Sequence, residues 1–294
     1  MNTKSGFVAI IGRPNAGKSS LMNYLLGEKI ALVSQKANAT RKRLQAIVMH
    51  KENQIIFVDT PGLHEKERLL NKFMLDEAIR AIGDSDITIF LVPLGDSTED
   101  YERFLKLTKR KHIILITKMD TGNNAELLKT MARFAPFEKS FEALLPFSIN
   151  KNVGKVELLD EISKLLPESP YLYDTDILTM ENLRDIYREF IREAIFENIS
   201  DEIPYATDVL IDQVEEKPKV EHIRATIVVE KDSQKAIIIG KGGAAIKRIG
   251  SSARTKIQTL INKKVYLDLF VSVKKGWSKD KDALKNFGYI IGGD

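Results

Sequence analysis

The sequence predicts a doubly wound α/β domain with a mainly parallel sheet, followed by a small α+β domain. Short runs rich in β-branched residues alternate with helical stretches from residue 6 to about residue 166. The segment "LLPESPYLYD" then interrupts this alternation, because Pro167 and Pro170 end the last helix. The order of elements after it is different. We therefore expect a first domain at 1–168, a linker at 169–180 and a second domain at 181–294 that ends in a basic tail.

The first domain contains six runs that we interpret as strands. They are "FVAIIG", "LQAIVMH", "QIIFVD", "ITIFLV", "HIILIT" and "ALLPFS". Several are apolar throughout, as in a parallel sheet covered on both faces. Helical stretches such as Leu69–Ile82 and Glu126–Phe134 lie between them. The segment "MHKENQII" is typical of a hairpin, so one edge pair should be antiparallel.

The second domain should begin with a helix from Glu181 to about Asn198. Two strands follow, at about Tyr205–Val214 and Ile223–Val229, and then a glycine-rich turn. A helix to about Asn262 and the strand "VYLDLFVSV" complete the predicted order.

Length and composition are typical of a soluble protein with two domains. The chain has 294 residues, of which 43% are hydrophobic and 29% are charged. No apolar run approaches the roughly 20 residues that a membrane-spanning helix needs. We expect no signal peptide, because a strand-like run begins almost at the N-terminus. The chain has no cysteine, which excludes disulfide and thiolate chemistry. These features favour the cytoplasm.

The segment "GRPNAGKS" (Gly12–Ser19) matches the phosphate-loop pattern G-x-x-x-x-G-K-[ST]. It follows the first strand directly and opens a helix, which is the context that this motif requires. Backbone N–H groups of the loop should point at phosphates. Lys18 should reach the β- and γ-phosphates, and the hydroxyl of Ser19 should bind Mg²⁺. The pattern in this context indicates a nucleotide site.

Three companion motifs indicate a guanine nucleotide. "DTPG" ends a strand, and we expect Asp59 to meet Mg²⁺ through water and Gly62 to donate its N–H to the γ-phosphate. Thr40 lies in a loop from which it can reach Mg²⁺ and the γ-phosphate, although an isolated loop threonine often has no such role. "TKMD" ends another strand, where the carboxylate of Asp120 can accept from the N–H groups of guanine but not from adenine. Lys118 can cover the base with its aliphatic stem.

With these motifs the chain resembles the translation-factor-related class of GTPases. Two departures concern the base site: Thr117 replaces the usual asparagine and removes an amide donor, and Ser148–Asn150 differs from the usual S-A-K or S-A-L motif. The residues assigned to nucleotide binding are Gly12, Arg13, Pro14, Asn15, Ala16, Gly17, Lys18, Ser19, Ser20, Asp59, Thr60, Pro61, Gly62, Thr117, Lys118, Met119, Asp120, Ser148, Ile149 and Asn150. Those assigned to Mg²⁺ are Ser19, Thr40 and, through water, Asp59.

The catalytic step is not determined by these motifs. Leu63 stands where Ras-like GTPases have a glutamine that orients the attacking water, and His64 is not a secure substitute. Asn15 has two interpretations. It resembles the phosphate-loop asparagine that ligates K⁺ in related GTPases, or it tolerates an unusual backbone angle. The residues to which we assign catalysis are Lys18, Thr40, Gly62 and Asn15.

A second glycine-rich turn, Gly240–Gly243, lies in a basic region. Residues 231–294 contain 14 Lys and Arg against 5 Asp and Glu, which a polyanionic partner or a solvated surface could equally explain. The turn also fits the dinucleotide fingerprint, but the chain beyond it is too short for the required βαβ unit. The G-x-x-G clamp of KH modules, which grips a single-stranded RNA backbone, suits it better. We assign Gly240, Lys241, Gly242, Gly243, Lys247 and Arg248 to RNA binding.

The element order favours a type II KH domain, so the predicted fold class is a P-loop GTPase domain with a doubly wound sheet followed by an α+β KH domain. A GTPase joined to a KH module resembles the Era family of bacterial ribosome-assembly GTPases. The resemblance covers "GRPNAGKSSLMNYLLGEKI", "ATRKR", "VDTPGLH", "IGKGGAAIKRIGSSAR" and "VKKGWSKDKDAL".

This resemblance implies GTP and GDP with Mg²⁺ as cofactors, and the 3′ end of 16S rRNA and the 30S subunit as partners. It also implies a peripheral contact with the inner membrane in some members. We expect a monomer. Two other functions stay open at this point: an RNA-binding assembly factor that keeps GTP as a structural ligand, and, less favoured, a GTPase for tRNA modification.

Overall fold

A computed structural model describes residues 3–34, 40–62, 69–200, 203–287 and 289, without the side chains of 69–73 and 286. These residues fall into two compact units. The first comprises most of the chain up to Met180, and the second comprises the chain from Glu181 together with residues 30–34 and 69–73. The predicted fold class is confirmed in both units.

The first unit is built on a six-stranded sheet in the order β2-β3-β1-β4-β5-β6. All pairs are parallel except β2 with β3, which form the predicted antiparallel edge hairpin. The strands are β1 (Lys4–Gly12), β2 (Leu44–His50), β3 (Asn53–Asp59), β4 (Ile87–Pro93), β5 (His112–Thr117) and β6 (Ala143–Pro146).

Helices cover this sheet, and their apolar side chains complete its core. They are α1 (Lys18–Leu26), α2 (Leu69–Asp84), α3 (Glu99–Leu107), α4 (Asn124–Phe134) and α5 (Lys155–Leu165). Every described residue of β4 and β5 is buried, which explains why these strands read as continuous apolar runs rather than as alternating patterns. One core cluster joins Phe90 and Ile114 of the sheet to Tyr101, Phe104 and Phe134 of the helices.

The carboxyl ends of the central parallel strands meet at one edge of the sheet. β1 lies between β3 and β4, and it leads directly into the phosphate loop. β3 ends at Asp59 and β5 ends at Thr117. The topology therefore brings three of the predicted motifs to the same edge, where ligands bind in open α/β sheets.

The segment after α5 stays with the first unit. The wholly buried side chain of Gln54 accepts hydrogen bonds from the backbone N–H groups of Leu172 (2.8 Å) and Tyr173 (3.0 Å). Further along, the N–H of Ile47 on the edge strand β2 donates to the carbonyl of Leu178 (2.8 Å). The domain boundaries assigned from the sequence stay a prediction.

The second unit contains a three-stranded sheet in the order β7-β8-β9, in which β7 and β8 are antiparallel and β8 and β9 are parallel. Its helices pack on one face, with Ile191, Ile195, Ile227 and Ile249 in a common core. The elements are α6 (Leu183–Asn198), β7 (Thr207–Glu216), β8 (Val220–Val229), α7 (Asp232–Ile239), α8 (Ala244–Ile261), β9 (Lys264–Val273) and α9 (Lys281–Asn286).

The sequence-based prediction lacks helices α7 and α9 of this order. Helix α7 leads into the glycine-rich turn. Its "AIII" run is rich in β-branched residues, which disfavour helices, and only Ile238 of this helix is buried. The glycine-rich turn consequently joins two helices, as in KH modules, rather than a strand and a helix.

Candidate guanine-nucleotide site and RNA-binding turn

The phosphate loop encloses its lysine. Lys18 is 7% exposed, and its Nζ donates to the carbonyl oxygens of Gly12 (3.1 Å) and Arg13 (3.0 Å). Burial lowers the pKa of Lys18 to about 8, although the carboxylate of Asp59 opposes this shift. The loop therefore holds its main cation inside the turn at which the phosphates should bind.

Three oxygen-bearing side chains from separate motifs meet beside Lys18. Ser19 Oγ donates to Asp59 Oδ2 (2.6 Å) and lies 2.9 Å from Thr40 Oγ1. These are the three residues that the sequence assigns to Mg²⁺. Sequence alone could not distinguish Thr40 from an ordinary loop threonine, whereas the structure places its hydroxyl at the phosphate loop.

Gly62 approaches the phosphate loop too closely for any side chain. A Cβ at this position would lie 2.9 Å from the backbone nitrogen of Pro14. Thr60 supports the same segment, because its Oγ1 donates to the carbonyl of Ile10 on β1 (2.8 Å). The "DTPG" segment is thus fixed against the loop that it is predicted to serve.

The carboxylate of Asp120 has two donors from the 148–150 segment. Ser148 Oγ donates to Oδ1 (2.7 Å), and Asn150 Nδ2 donates to Oδ2 (2.8 Å). These hydrogen bonds, that from Ser148 first, hold the pKa of Asp120 below its usual range. Asp120 is therefore kept as an anionic acceptor, which is the form that the N–H groups of guanine require. Asn150, which stands where the usual motif has Lys or Leu, thus donates one of the two hydrogen bonds to Asp120.

Thr117 and Lys118 connect the base-binding segment to the phosphate loop. Thr117 Oγ1 donates to the carbonyl of Ala16 (2.9 Å), and Lys118 Nζ donates to the carbonyl of Asn15 (2.8 Å). The replacement of asparagine by Thr117 removes an amide, yet the hydroxyl still joins the two halves of the site. The other predicted residues, Gly17, Ser20, Met119 and Ile149, lie in the same loops or in the first turn of α1.

Asp96 is a supporting residue that the sequence analysis did not identify. Arg13 Nε donates to Asp96 Oδ2 (2.5 Å) and Nη2 donates to Oδ1 (2.9 Å), in the two-pronged geometry that makes Arg–carboxylate pairs strong. Asp96 follows β4 in a loop without a recognisable motif, so only the three-dimensional arrangement shows that it holds the phosphate loop.

Asn15 has a φ of 62°, in the left-handed region. Asparagine tolerates this region better than most residues, so the backbone interpretation of Asn15 has a structural basis. The cation interpretation stays a prediction. Leu63 and His64 lie outside the described residues.

In the second unit, the turn Gly240–Gly243 joins α7 to α8. Gly242 (φ 59°) and Gly243 (φ 79°) have left-handed backbones, and a Cβ on either would meet nothing within 4 Å. Neighbouring protein atoms therefore do not require glycine here; the backbone angles do. The open space beside the turn allows a nucleic-acid backbone to approach it closely.

The cations around this turn divide into two groups. Lys241, Lys247 and Arg248 are exposed, and no ion pair involves them within the described part of the chain. Lys256, further along α8, is instead held by Glu197 (2.6 Å) and Glu193 (3.4 Å). The charges closest to the turn are thus available to an RNA phosphate, whereas Lys256 stabilises the packing of α8 against α6.

Two family models match the chain in the order of its units. Residues 7–118 match the family described as 50S ribosome-binding GTPase, and residues 202–278 match the KH domain. A GTPase Era from Campylobacter concisus is 53% identical over 98% of this chain and 99% of its own length. The chain belongs to the GTPase Era family. A second Era, from Campylobacter jejuni subsp. jejuni, is 51% identical over 96% of this chain and 97% of its own length.

Solved Era structures share the whole architecture. A variant of Aquifex aeolicus Era bound to GDP and AlF4⁻ superposes with a TM-score of 0.94 at 32% identity, and the match covers 98% of this chain and 100% of that one. Era in complex with MgGDPNP and nucleotides 1506–1542 of 16S rRNA gives a TM-score of 0.93 with the same identity and coverage. This Era family member is thus a P-loop GTPase joined to a KH domain, with guanine nucleotide and Mg²⁺ as its cofactors. None of the helices in the described ranges is long and apolar enough to span a bilayer.

Proposed function

We propose that this chain is a GTP-hydrolysing switch that binds the 3′ end of 16S rRNA through its KH domain and assists assembly of the 30S subunit. One observation carries the GTP-hydrolysing part of the proposal: Ser19 Oγ lies within 2.9 Å of Thr40 Oγ1 and within 2.6 Å of Asp59 Oδ2, beside Lys18. An all-oxygen set with one carboxylate fits Mg²⁺, which binds few protein ligands and shares phosphate oxygens. When bound, Mg²⁺ neutralises charge on the β- and γ-phosphates.

The side chains of the site have separate roles in this proposal. Lys18 offers a buried ammonium to the phosphates and exchanges its two backbone carbonyl partners for them. Gly62 brings a backbone N–H against the loop. Asp120, held ionised by Ser148 and Asn150, selects guanine because adenine cannot donate to both of its oxygens.

The RNA partner is proposed from a relative and supported by the turn. An Era 32% identical to this chain has been solved with nucleotides 1506–1542 of 16S rRNA. In this chain the exposed Lys241, Lys247 and Arg248 lie within or shortly after an open glycine turn, which suits a single-stranded RNA backbone. The 30S subunit as the larger partner, the monomeric state, the cytoplasmic location and a peripheral inner-membrane contact are further proposals from the family resemblance.

Measuring GTP turnover by the full-length chain, with and without an oligonucleotide matching the 3′ end of its own 16S rRNA, tests the function. We expect turnover that the oligonucleotide raises and that a scrambled oligonucleotide of equal length leaves unchanged. Tight GTP and RNA binding without turnover in any mixture would instead show an assembly factor that keeps GTP as a structural ligand.

A further inference from the structure

The "ATRKR" segment contains an arginine whose contacts the proposed function does not use. Arg43 immediately precedes β2, and its guanidinium binds two carboxylates of helix α2. Nε donates to Glu77 Oε2 (2.9 Å), and Nη1 donates to Asp84 Oδ2 (2.9 Å). Residues seven apart lie on the same face of a helix, two turns from each other. Arg43 thus contacts one face of α2 at two points from the start of β2, although the contact with Asp84 is exposed.

Glu77 gives this contact its strength. Its side chain is only 7% exposed, and its second ion pair, with Arg80 Nη1, is longer at 3.6 Å. A buried carboxylate that loses its closest partner is destabilised, because its charge is then less well compensated. Arg43 is therefore the principal partner of a charge that α2 cannot easily expose.

The two ends of this ion pair follow different parts of the nucleotide site along the chain. Thr40 lies three residues before Arg43, and its hydroxyl is 2.9 Å from Ser19 Oγ. Helix α2 follows the "DTPG" segment, whose Gly62 packs against Pro14. Arg43 therefore connects the segment that carries Thr40 to helix α2, which follows the "DTPG" segment in the chain.

We propose that Arg43 is a positioning residue of the GTP-bound state, which keeps the segment carrying Thr40 fixed to helix α2. This rests on the proposed function, since it assumes that Thr40 and the "DTPG" segment recognise the γ-phosphate. GDP lacks that phosphate. Loss of the link should therefore weaken GTP binding and slow hydrolysis, and leave GDP binding nearly unchanged.

The experiment measures the affinities of the full-length chain for GDP and for a non-hydrolysable GTP analogue. The rate of GTP hydrolysis is measured separately in single-turnover reactions. Arg43→Gln should lower analogue affinity about tenfold and leave GDP affinity within about twofold. Arg43→Lys keeps the charge on a single nitrogen, so its affinity for the GTP analogue should lie between those of the wild type and Arg43→Gln. The double variant Arg43→Gln with Glu77→Gln removes the pair without leaving a buried charge, so it should fold and show the same selective loss.

Arg80→Gln is the matched control. Arg80 contacts the same carboxylate but lies on α2 itself, so it cannot join α2 to β2, and its loss should not change the ratio of the two affinities. An equal fall in both affinities in the double variant, or no fall at all, would overturn the proposal. A loss of affinity for the GTP analogue alone in Arg80→Gln would also overturn it. A wild-type chain that does not bind the analogue would contradict the proposed function instead.

Discussion

In the first unit the glycine-rich turn encloses a buried lysine, whereas Gly242 and Gly243 of the turn in the second unit face open space. Lys18 is buried and donates to two carbonyls of its own loop, and Asp96, Thr117 and Lys118 hold that loop from outside. Around Gly242 and Gly243 an added Cβ would meet nothing within 4 Å.

The difference reflects the size of the ligand that each turn serves. A nucleoside triphosphate is small enough to be surrounded, so the phosphate loop gains from burial, fixed donors and a low local dielectric. An RNA backbone is long and must pass across a surface, so the second turn presents an open glycine backbone and exposed cations instead. Similar glycine-rich sequences therefore produce one pocket and one clamp.

The largest effect should come from Lys18→Ala. This change removes the cation that two phosphates should share, and two charge-assisted hydrogen bonds correspond to about a 1,000-fold loss of GTP affinity. Filter binding measures it. RNA affinity should stay within error of the wild type, and near-normal GTP affinity would mean that the loop does not bind phosphate through Lys18.

Replacing Gly242 and Gly243 together by Asp should weaken RNA binding by about 2–3 kcal/mol, or about 30- to 150-fold. The new carboxylates repel phosphate, and the left-handed backbone disfavours any side chain. Fluorescence anisotropy with a labelled oligonucleotide measures the loss. GTP affinity serves as the control, because an equal loss of both activities would indicate misfolding.

A smaller effect should appear when pH is raised. In this structure the pKa of Lys18 is about 8, and bound phosphates would raise it because they stabilise the ammonium form. Full GTP affinity should thus be present below pH 8, and should fall by up to about tenfold per pH unit above it. Calorimetry should show proton uptake on binding at pH 9 and little at pH 7. A flat profile to pH 9.5 would contradict a lowered pKa.

The smallest effect concerns Asn15. If its side chain ligates K⁺, exchange of Na⁺ for K⁺ at constant ionic strength should raise GTP turnover a few-fold, since the cation offsets charge between the phosphates. Asn15→Ala should abolish the difference and leave Mg²⁺-dependent GTP binding intact. Identical wild-type rates in both salts, with and without RNA, would leave only the backbone interpretation of this asparagine.

Sequence reasoning was most successful where local pattern determines structure. The six strands, the hairpin edge and the phosphate loop follow from apolar runs and from a motif whose spacing has a physical cause. The assignment of Thr40 to Mg²⁺ was a sequence-based prediction, but only the fold shows its contact with Ser19.

Sequence reasoning was weakest where a side chain compensates for another at long range. The replacement at Thr117 is a loss when read alone, yet its hydroxyl reaches the carbonyl of Ala16, 101 residues away. Asp96 and Glu77 carry no motif, and their partners are set by folding. Helix α7 was missed because packing and its glycine-ended turn outweigh the poor helix propensity of its isoleucines.

The segment that follows α5 has a practical consequence for work on the first unit alone. Strand β2 forms an edge of the sheet, and Leu178 accepts a hydrogen bond from its Ile47 while Thr179 Oγ1 donates to Gln45 (2.5 Å). A fragment that stops at residue 168 would lose this cover and expose the amide of Gln54. Bare edges of this kind recruit strands from other molecules. A fragment that ends at Met180 should stay dispersed at concentrations where the shorter one precipitates.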